Sequence, residues 1–258
     1  MSKLVAQVKP NTLYGPTLRR DRDVYPFAEA VTFDFFGTLV FHREGRGRGR
    51  VLMEYLESQG LRAAPWEHEA LYDVFDSHDR TYSPSAPLDE RRAYYAGLAV
   101  RVFDRMGVHA PAGVAAEHAE ALWTVLGPQC FEVFPDAVEA LHGLRVRGIR
   151  LAVVSNWQSG LRHFCTELGL AEYFDHIVSS ADLGVAKPNR RIFLEACALL
   201  RAAPEHTLHV GDTYLDDYVG GEAAGLQVAL LDRSSTSSVT AARTVQSLSE
   251  VVAFVSRQ

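Results

Sequence analysis

The feature that most constrains the fold is a series of short apolar runs, each ending next to a polar residue. The runs are Ala30–Phe36, Ile149–Val154, His176–Ser179, Leu208–Val210 and Gln227–Leu231. Segments of helical length and amphipathic pattern separate them. This alternation predicts an α/β fold with a Rossmann-like parallel sheet, because buried parallel strands are almost continuously apolar. Such sheets carry their sites at the carboxyl ends of the strands.

The stretch between the first two predicted strands breaks this alternation, because its patterns are helical throughout. The predicted helices are Val51–Gln59, Glu67–Tyr82, Leu88–Gly107 and Val114–Leu126. Glycine and proline residues separate them. We therefore predict an all-helical cap over residues 44–130, inserted into a core formed by residues 29–43 and 131–258. Residues 1–28 form an N-terminal extension.

Composition excludes several classes of partner. The 258 residues carry a net charge of −6, which gives no general attraction to nucleic acid or to an anionic membrane. No run of about 18 apolar residues is present, so no membrane span is expected. Cys130, Cys165 and Cys197 lie far apart and form no CxxC pair. We expect a cytoplasmic monomer or homodimer whose partner is a small, anionic molecule.

Asp34 is the first candidate for chemistry, because it places a carboxylate at the end of a strand. Gly37 allows a tight turn directly after it. A carboxylate in this position can act as a nucleophile, although a helix cap or turn residue is the alternative. Ser155 and Asn156 end the second strand, where a hydroxyl group and a backbone amide can hold an anionic oxygen or cap the next helix.

The other candidates follow the third and fourth strands. Lys187 precedes Pro188, so its ammonium group is delivered from a turn. Asp212, Asp216 and Asp217 bring three carboxylates close together. Such crowding is costly unless a cation neutralises it, and ligands that are all oxygen suit Mg²⁺. Alternatively, the last two acids open a helix, where acidic residues are favoured.

These residues together resemble the four motifs of the haloacid dehalogenase-like hydrolase superfamily, in order and spacing. The matching segments are Asp34-Phe-Phe-Gly-Thr38, Val153-Val-Ser155-Asn156, Lys187-Pro188 and Gly211-Asp-Thr-Tyr-Leu-Asp-Asp217. The resemblance covers about two-thirds of the chain, and the helical insert is similar to the C1-type cap of this family.

The resemblance implies a role for each matching residue. Asp34, Ser155 and Lys187 would be catalytic, and Thr38 and Asn156 would bind the substrate. Asp34, the main-chain carbonyl of Phe36 and Asp212 would hold Mg²⁺, with Asp217 or Asp216 close behind. A carbonyl ligand does not depend on its side chain, so Phe36 is compatible with metal binding.

Phe36 is the departure from the family pattern, since a second aspartate usually stands two residues after the nucleophile. The family's metal-free 2-haloacid dehalogenases resemble this chain in having an aromatic residue there. The acidic fourth motif instead favours a Mg²⁺-dependent phosphatase that forms an aspartyl-phosphate on Asp34. Losing a general acid costs only ~10²–10⁴ in rate, so this is the preferred interpretation. A third hypothesis is a binding protein with impaired catalysis.

The linker into the predicted cap carries a short Gly/Arg repeat, Gly45–Arg50. Alternating glycines allow hinge motion, and Arg46 and Arg48 could meet an anionic part of the substrate. A solvated hinge is the simpler alternative. His42 or Glu44, from the same linker, could supply the proton that Phe36 cannot.

Overall fold

The computed structural model of the protein describes residues 28–43, 48–63, 88–108, 113–119, 121–122, 127–158, 160–235 and 242–255. The predicted extension therefore lies almost wholly outside the described residues, as does the helix predicted over Glu67–Tyr82. The Ser/Thr-rich stretch Ser234–Thr240, whose composition is typical of a loop, is described only at Ser234 and Ser235, which lie in a turn and a bend.

The core is a parallel sheet, as the alternation of patterns predicted. The strands are β1 Ala30–Phe33, β2 Val40–His42, β3 Phe131–Val133, β4 Arg150–Ser155, β5 His176–Ser179, β6 Thr207–Gly211, β7 Gln227–Leu231 and β8 Thr244–Val245. The order in the main sheet is β5-β4-β1-β6-β7-β8, and every pairing in it is parallel. The α/β fold class is confirmed.

Helices cover both faces of the sheet. They are α1 Arg48–Ser58, α2 Leu88–Arg105, α3 Val114–Glu117, α4 Pro135–Val146, α5 Leu161–Glu167, α6 Ser180–Leu183, α7 Arg190–Leu200, α8 Gly220–Ala223 and α9 Leu248–Phe254. Of the helix predicted at Val114–Leu126, the described residues form α3, a turn at His118 and helical positions at 119, 121 and 122. Within the described ranges, we find no helix whose length and hydrophobicity would suit a transmembrane span.

Alternate residues of the strands supply the two apolar layers. On β1, Val31 and Phe33 pack into one layer with α4, α5 and α9, while Ala30 faces the other side. On that second side, Val154 of β4 packs with Phe193 of α7. Since both faces are covered, the sheet is buried on both sides and its strand ends are the accessible part.

A two-stranded antiparallel sheet, formed by β2 and β3, marks the places where the chain leaves and rejoins the core. β2 pairs with β3, with Val40 opposite Val133 and His42 opposite Phe131. The described helices between these strands share an apolar cluster of their own. Its buried members are Leu52, Leu56, Leu98, Ala99, Val102, Phe103, Met106, Val108, Ala119 and Leu122. The cap boundaries at residues 44 and 130 stay a prediction.

Candidate active site

The candidate functional side chains follow three neighbouring strands. Asp34 comes directly after β1, Ser155 ends β4, and Asp212 comes directly after β6. β1 lies between β4 and β6, and Asp34 N donates to the carbonyl of Val210 at 2.9 Å. Because parallel strands end at the same edge, the sheet order brings these positions together.

Lys187 shares its ammonium group between two carboxylates. Its Nζ lies 2.6 Å from Asp34 Oδ1 and 2.5 Å from Asp217 Oδ1. Lys187 is 5% exposed, Asp34 is 6% exposed and Asp217 is fully buried. Buried ions must be paired and hydrogen-bonded to be tolerated. Lys187 therefore fixes the candidate nucleophile, Asp34, relative to Asp217.

Asn156 anchors the backbone of Lys187. Its Oδ1 accepts from Lys187 N at 2.7 Å, and its Nδ2 donates to Lys187 O at 3.1 Å. The same Nδ2 lies 3.4 Å from Asp216 Oδ2. The peptide bond from Lys187 to Pro188 is cis, and Asn189 caps α7. The amide of Asn156 is thus used to hold the loop, and its contact with a substrate stays a prediction.

A π-helical turn, Tyr214–Val219, presents the acids of the fourth motif. Asp217 N donates to Thr213 O at 2.9 Å, and Thr213 N donates back to Asp217 Oδ2 at 2.9 Å. The wide turn directs Asp217 towards the buried lysine and places Asp216 beside Asn156. Wide turns of this kind are frequent at functional sites.

Three carboxylates form a cluster that fits a hard divalent cation. One oxygen each from Asp34, Asp212 and Asp217 lie within 4.8 Å of one another. With all three ionised, the ammonium of Lys187 leaves two negative charges unbalanced. Gly37 has a φ of 84°, and a Cβ there would collide with the Asp212 carboxylate. The turn after Asp34 thus packs directly on the carboxylate of Asp212.

The pKa values of Lys187 and Asp217 are moved in opposite directions. Burial disfavours the ammonium group, but Asp217 and Asp34 together outweigh it and raise the pKa of Lys187 above its usual value. Burial would also raise the pKa of Asp217, but Lys187 and His209 outweigh it and lower that pKa. Lys187 and Asp217 thus each favour the charged form of the other.

The pKa values of the other two acids, Asp34 and Asp212, are raised. Burial is the largest cause of the raised pKa of Asp34, with Lys187 opposing the shift and Asp217 adding to it. Asp212 keeps an exposed surface, yet surrounding protein atoms and then the charges of Asp34 and Asp217 raise its pKa to about 7. A cation between these carboxylates would favour their ionised forms.

The ring of Phe36 belongs to an aromatic cluster with side chains of the two-stranded sheet β2–β3. Its centroid lies 4.7 Å from that of His42 and 6.0 Å from that of Phe131. The ring of His42 stacks on Phe131 at 4.9 Å. Phe36 thus links the segment that carries the candidate nucleophile, Asp34, to the two-stranded sheet through which the chain leaves the core.

The remaining predicted residues differ in burial, and some of them lie outside the described part of the chain. Ser155 is 2% exposed at the end of β4. Thr38 is fully buried, and its hydroxyl has no hydrogen-bond partner among the described residues. Arg48 begins α1, while Arg46 and Glu44 lie outside the described residues. The substrate contacts predicted for Thr38, Arg46 and Arg48 stay predictions.

Two residues next to the site were not predicted. His209 is a histidine inside the apolar run of β6, and that interruption was the available signal. Arg233 forms a two-pronged ion pair with Asp136 at 3.0 Å per bond, and its Nη2 donates to Thr38 O at 2.9 Å. Arg233 thereby ties the chain after β7 to the turn after Asp34, a contact that no local pattern indicates.

Comparison with known proteins shows the family of this chain. Residues 28–225 match the family model described as haloacid dehalogenase-like hydrolase. The chain is 39% identical over 210 residues to haloacid dehalogenase-like hydrolase domain-containing protein 3 of Mus musculus, covering 78% of this chain and 80% of that protein. The protein therefore belongs to the haloacid dehalogenase-like hydrolase family.

More distant relatives include enzymes with named substrates. Ribulose-1,5-bisphosphate 5-phosphatase of Halopiger xanaduensis is 26% identical over 218 residues, covering 83% of this chain and 88% of that protein. The crystal structure of 2-haloacid dehalogenase from Pseudomonas syringae superposes with a TM-score of 0.66 at 22% identity. The match covers 89% of this chain and 98% of that structure, and it supports the fold alone.

Proposed function

We propose that this protein is a Mg²⁺-dependent phosphatase that acts on a small phosphorylated metabolite. The observation that carries the proposal is the cluster of Asp34, Asp212 and Asp217 around a single lysine. A phosphate ester brings further negative charge to this cluster, so its binding requires a cation. A haloacid would be repelled by the same carboxylates. The phosphatases among the relatives support this choice of substrate class.

In this mechanism Asp34 is the nucleophile. One of its oxygens attacks phosphorus while the bond from phosphorus to the leaving oxygen breaks, which gives an aspartyl-phosphate and a free alcohol. Lys187 holds Asp34 in place and balances charge on the phosphoryl group. Water then attacks phosphorus, releases inorganic phosphate and restores Asp34.

Other groups would bind and orient the phosphoryl group. Ser155 offers a hydroxyl group and Asn156 a backbone amide at the end of β4, where donors to phosphoryl oxygens are needed. Asp34, the main-chain carbonyl of Phe36 and Asp212 would hold Mg²⁺, with Asp217 next to them. When bound, Mg²⁺ neutralises charge on the transferred phosphoryl group. The proposed cap, residues 44–130, would close over the site and exclude water.

The departing alcohol needs a proton, which Phe36 cannot donate. Acyl and aryl phosphates have good leaving groups, so they would react fastest. His42 is the nearest alternative donor in sequence, and its ring lies against Phe36. We propose that an enzyme with this arrangement has narrow or weak activity on alkyl phosphates.

The test is a panel of phosphate esters and acyl phosphates assayed for phosphate release, with and without Mg²⁺. We expect release that EDTA abolishes and Mg²⁺ restores, with acyl and aryl phosphates ahead of alkyl esters. A parallel panel of 2-haloacids assayed for halide should stay silent. Halide release that EDTA leaves unchanged, with phosphate esters intact, would instead identify a dehalogenase, the activity that Phe36 favours.

Replacing Phe36 by aspartate tests whether the protein is an impaired phosphatase. We expect Phe36→Asp to raise turnover of an alkyl phosphate by about 10²-fold, with little gain on p-nitrophenyl phosphate, whose leaving group needs no proton. The lost ring contacts with His42 and Phe131 should lower the free energy of unfolding by about 2 kcal/mol. Phe36→Leu is the matched control, since it removes the ring without adding an acid. Silence of both variants and the parent would favour a binding protein.

Mg²⁺ should stabilise the fold in a manner that depends on pH. Because the folded-state pKa of Asp212 is raised to about 7, the metal-free protein loses the corresponding stability as pH rises from about 4 to 7. Mg²⁺ binds the ionised carboxylate, so its effect on the melting temperature should be larger at about pH 8 than at about pH 6. Asp212→Asn should remove both dependences. Equal Mg²⁺ shifts at the two pH values would contradict the assignment.

The cellular setting also remains a proposal. Cys130, Cys165 and Cys197 are free and buried, which suits a reducing cytoplasm. The net charge of −6 gives no general attraction to nucleic acid or to an anionic membrane. We propose a monomer or homodimer whose partner is the small anionic substrate.

A further inference from the structure

His209 is a fully buried polar side chain beside the site, and the mechanism above gives it no role. It lies on β6, between β1 and the π-helical turn. Its Nδ1 lies 2.9 Å from Thr32 Oγ1, and its Nε2 lies 3.0 Å from Asp217 Oδ1. Both ring nitrogens therefore have partners. These two partners offset the cost of burying a polar ring in the sheet core.

The partners determine which ring nitrogen carries hydrogen. The carboxylate of Asp217 already accepts from Lys187 Nζ and Thr213 N, so we take Nε2 of His209 as a further donor to it. In this Nε2–H tautomer, the hydroxyl group of Thr32 donates to Nδ1. These bonds form a chain with one hydrogen in each link, running from Thr32 through His209 to Asp217, where Lys187 joins it and continues to Asp34.

The chain places His209 where it controls the orientation of Asp217. Asp217 Oδ1 receives both His209 Nε2 and Lys187 Nζ, and Oδ2 receives Thr213 N. With the bond from His209 removed, the carboxylate could rotate and carry the shared ammonium group away from Asp34. The surroundings hold the imidazole in place, because the ring of Phe193 packs edge-on at 4.9 Å.

We propose that His209 is a positioning residue. Together with Thr32 it holds Asp217, and through Asp217 it keeps Lys187 within hydrogen-bonding distance of Asp34, so that Asp34 stays aligned. The catalytic consequence rests on the proposed phosphatase function. The hydrogen-bonded chain itself does not, so it is tested separately.

The first experiment measures the tautomer without any activity assay. In the full chain labelled with ¹⁵N-histidine, long-range ¹H–¹⁵N spectra should show His209 as the Nε2–H tautomer. Thr32→Val should shift the Nδ1 resonance of His209, because it removes the donor. Thr207→Val is the matched control, since Thr207 is a buried threonine of β6 that bonds to Ala203 O instead. An Nδ1–H tautomer, or an Nδ1 signal that Thr32→Val does not move, would overturn the proposal.

The second experiment separates positioning from a structural role. His209→Leu should lower kcat by about 10- to 100-fold, with KM changed by less than about twofold, because the substrate site itself is intact. His209→Gln can still donate to Asp217, so it should recover most of kcat. Equal losses in the two variants, or a loss confined to KM, would contradict positioning. If the parent releases no phosphate from any ester, the phosphatase proposal fails while the spectra still decide on the chain.

Discussion

Asp34→Asn should abolish phosphate release, lowering kcat by about 10⁴-fold or more. The amide has the shape of the carboxylate but is too weak a nucleophile to form the aspartyl-phosphate. The change should leave the fold intact, because Lys187 keeps its bond to Asp217 and the amide oxygen can still accept from Nζ. Steady-state kinetics on the best ester of the panel, with melting temperature as the check on folding, measures the effect.

Asp216→Asn is the matched control for that loss. Asp216 lies on the same π-helical turn as Asp217, and its carboxylate lies 3.4 Å from the side-chain amide of Asn156. We expect this variant to lose far less activity than Asp34→Asn. Mass spectrometry adds a direct check, since trapping the intermediate should place one phosphoryl group on the peptide that contains Asp34. A label on another residue, or comparable losses in both variants, would rule Asp34 out as the nucleophile.

The fold could be predicted because its signals are local. Continuous apolar runs gave β5 and β7 at their observed bounds, and β4 and β6 within one residue at each end. β1 was predicted too long. The strand ends at Phe33, and Phe36 forms only an isolated bridge with Val40. Gly37, which has a positive φ, lies in the turn that follows. Apolar character continues through this turn, so the pattern could not show where the strand stops.

The sequence predicted which residues would lie at the candidate site, but not which of them pair with one another. The motifs placed Asp34, Lys187 and Asp212 at strand ends, and the sheet order brings them together. The pairing of Lys187 with Asp217, and of Asp217 with His209, joins residues that are 30 and 8 positions apart in sequence. Such contacts depend on how the π-helical turn packs against β6. No periodicity in the sequence encodes that geometry.

Lys187→Met should be the most destabilising single change in the site. The ammonium group balances two carboxylates that are almost fully buried, and removing one partner of a buried ion pair costs about 3–5 kcal/mol. Urea unfolding should show this loss at neutral pH. The loss should shrink towards pH 4, because Asp34 and Asp217 can then take up protons in place of their missing partner. Arg190→Met, an exposed change at the start of α7, is the control and should have little effect.

A double variant separates the loss of charge balance from the loss of packing. In Lys187→Met with Asp217→Asn, one of the unbalanced carboxylates is gone, while His209 can still donate to the amide oxygen of the new residue. We expect the double variant to be more stable than Lys187→Met alone, with a coupling free energy of about 1–3 kcal/mol. If the two losses simply add, the cost of Lys187→Met comes from its aliphatic chain. The buried cluster would then not depend on the lysine for its charge balance. A cation between Asp34 and Asp212 would not be needed to balance the carboxylates either.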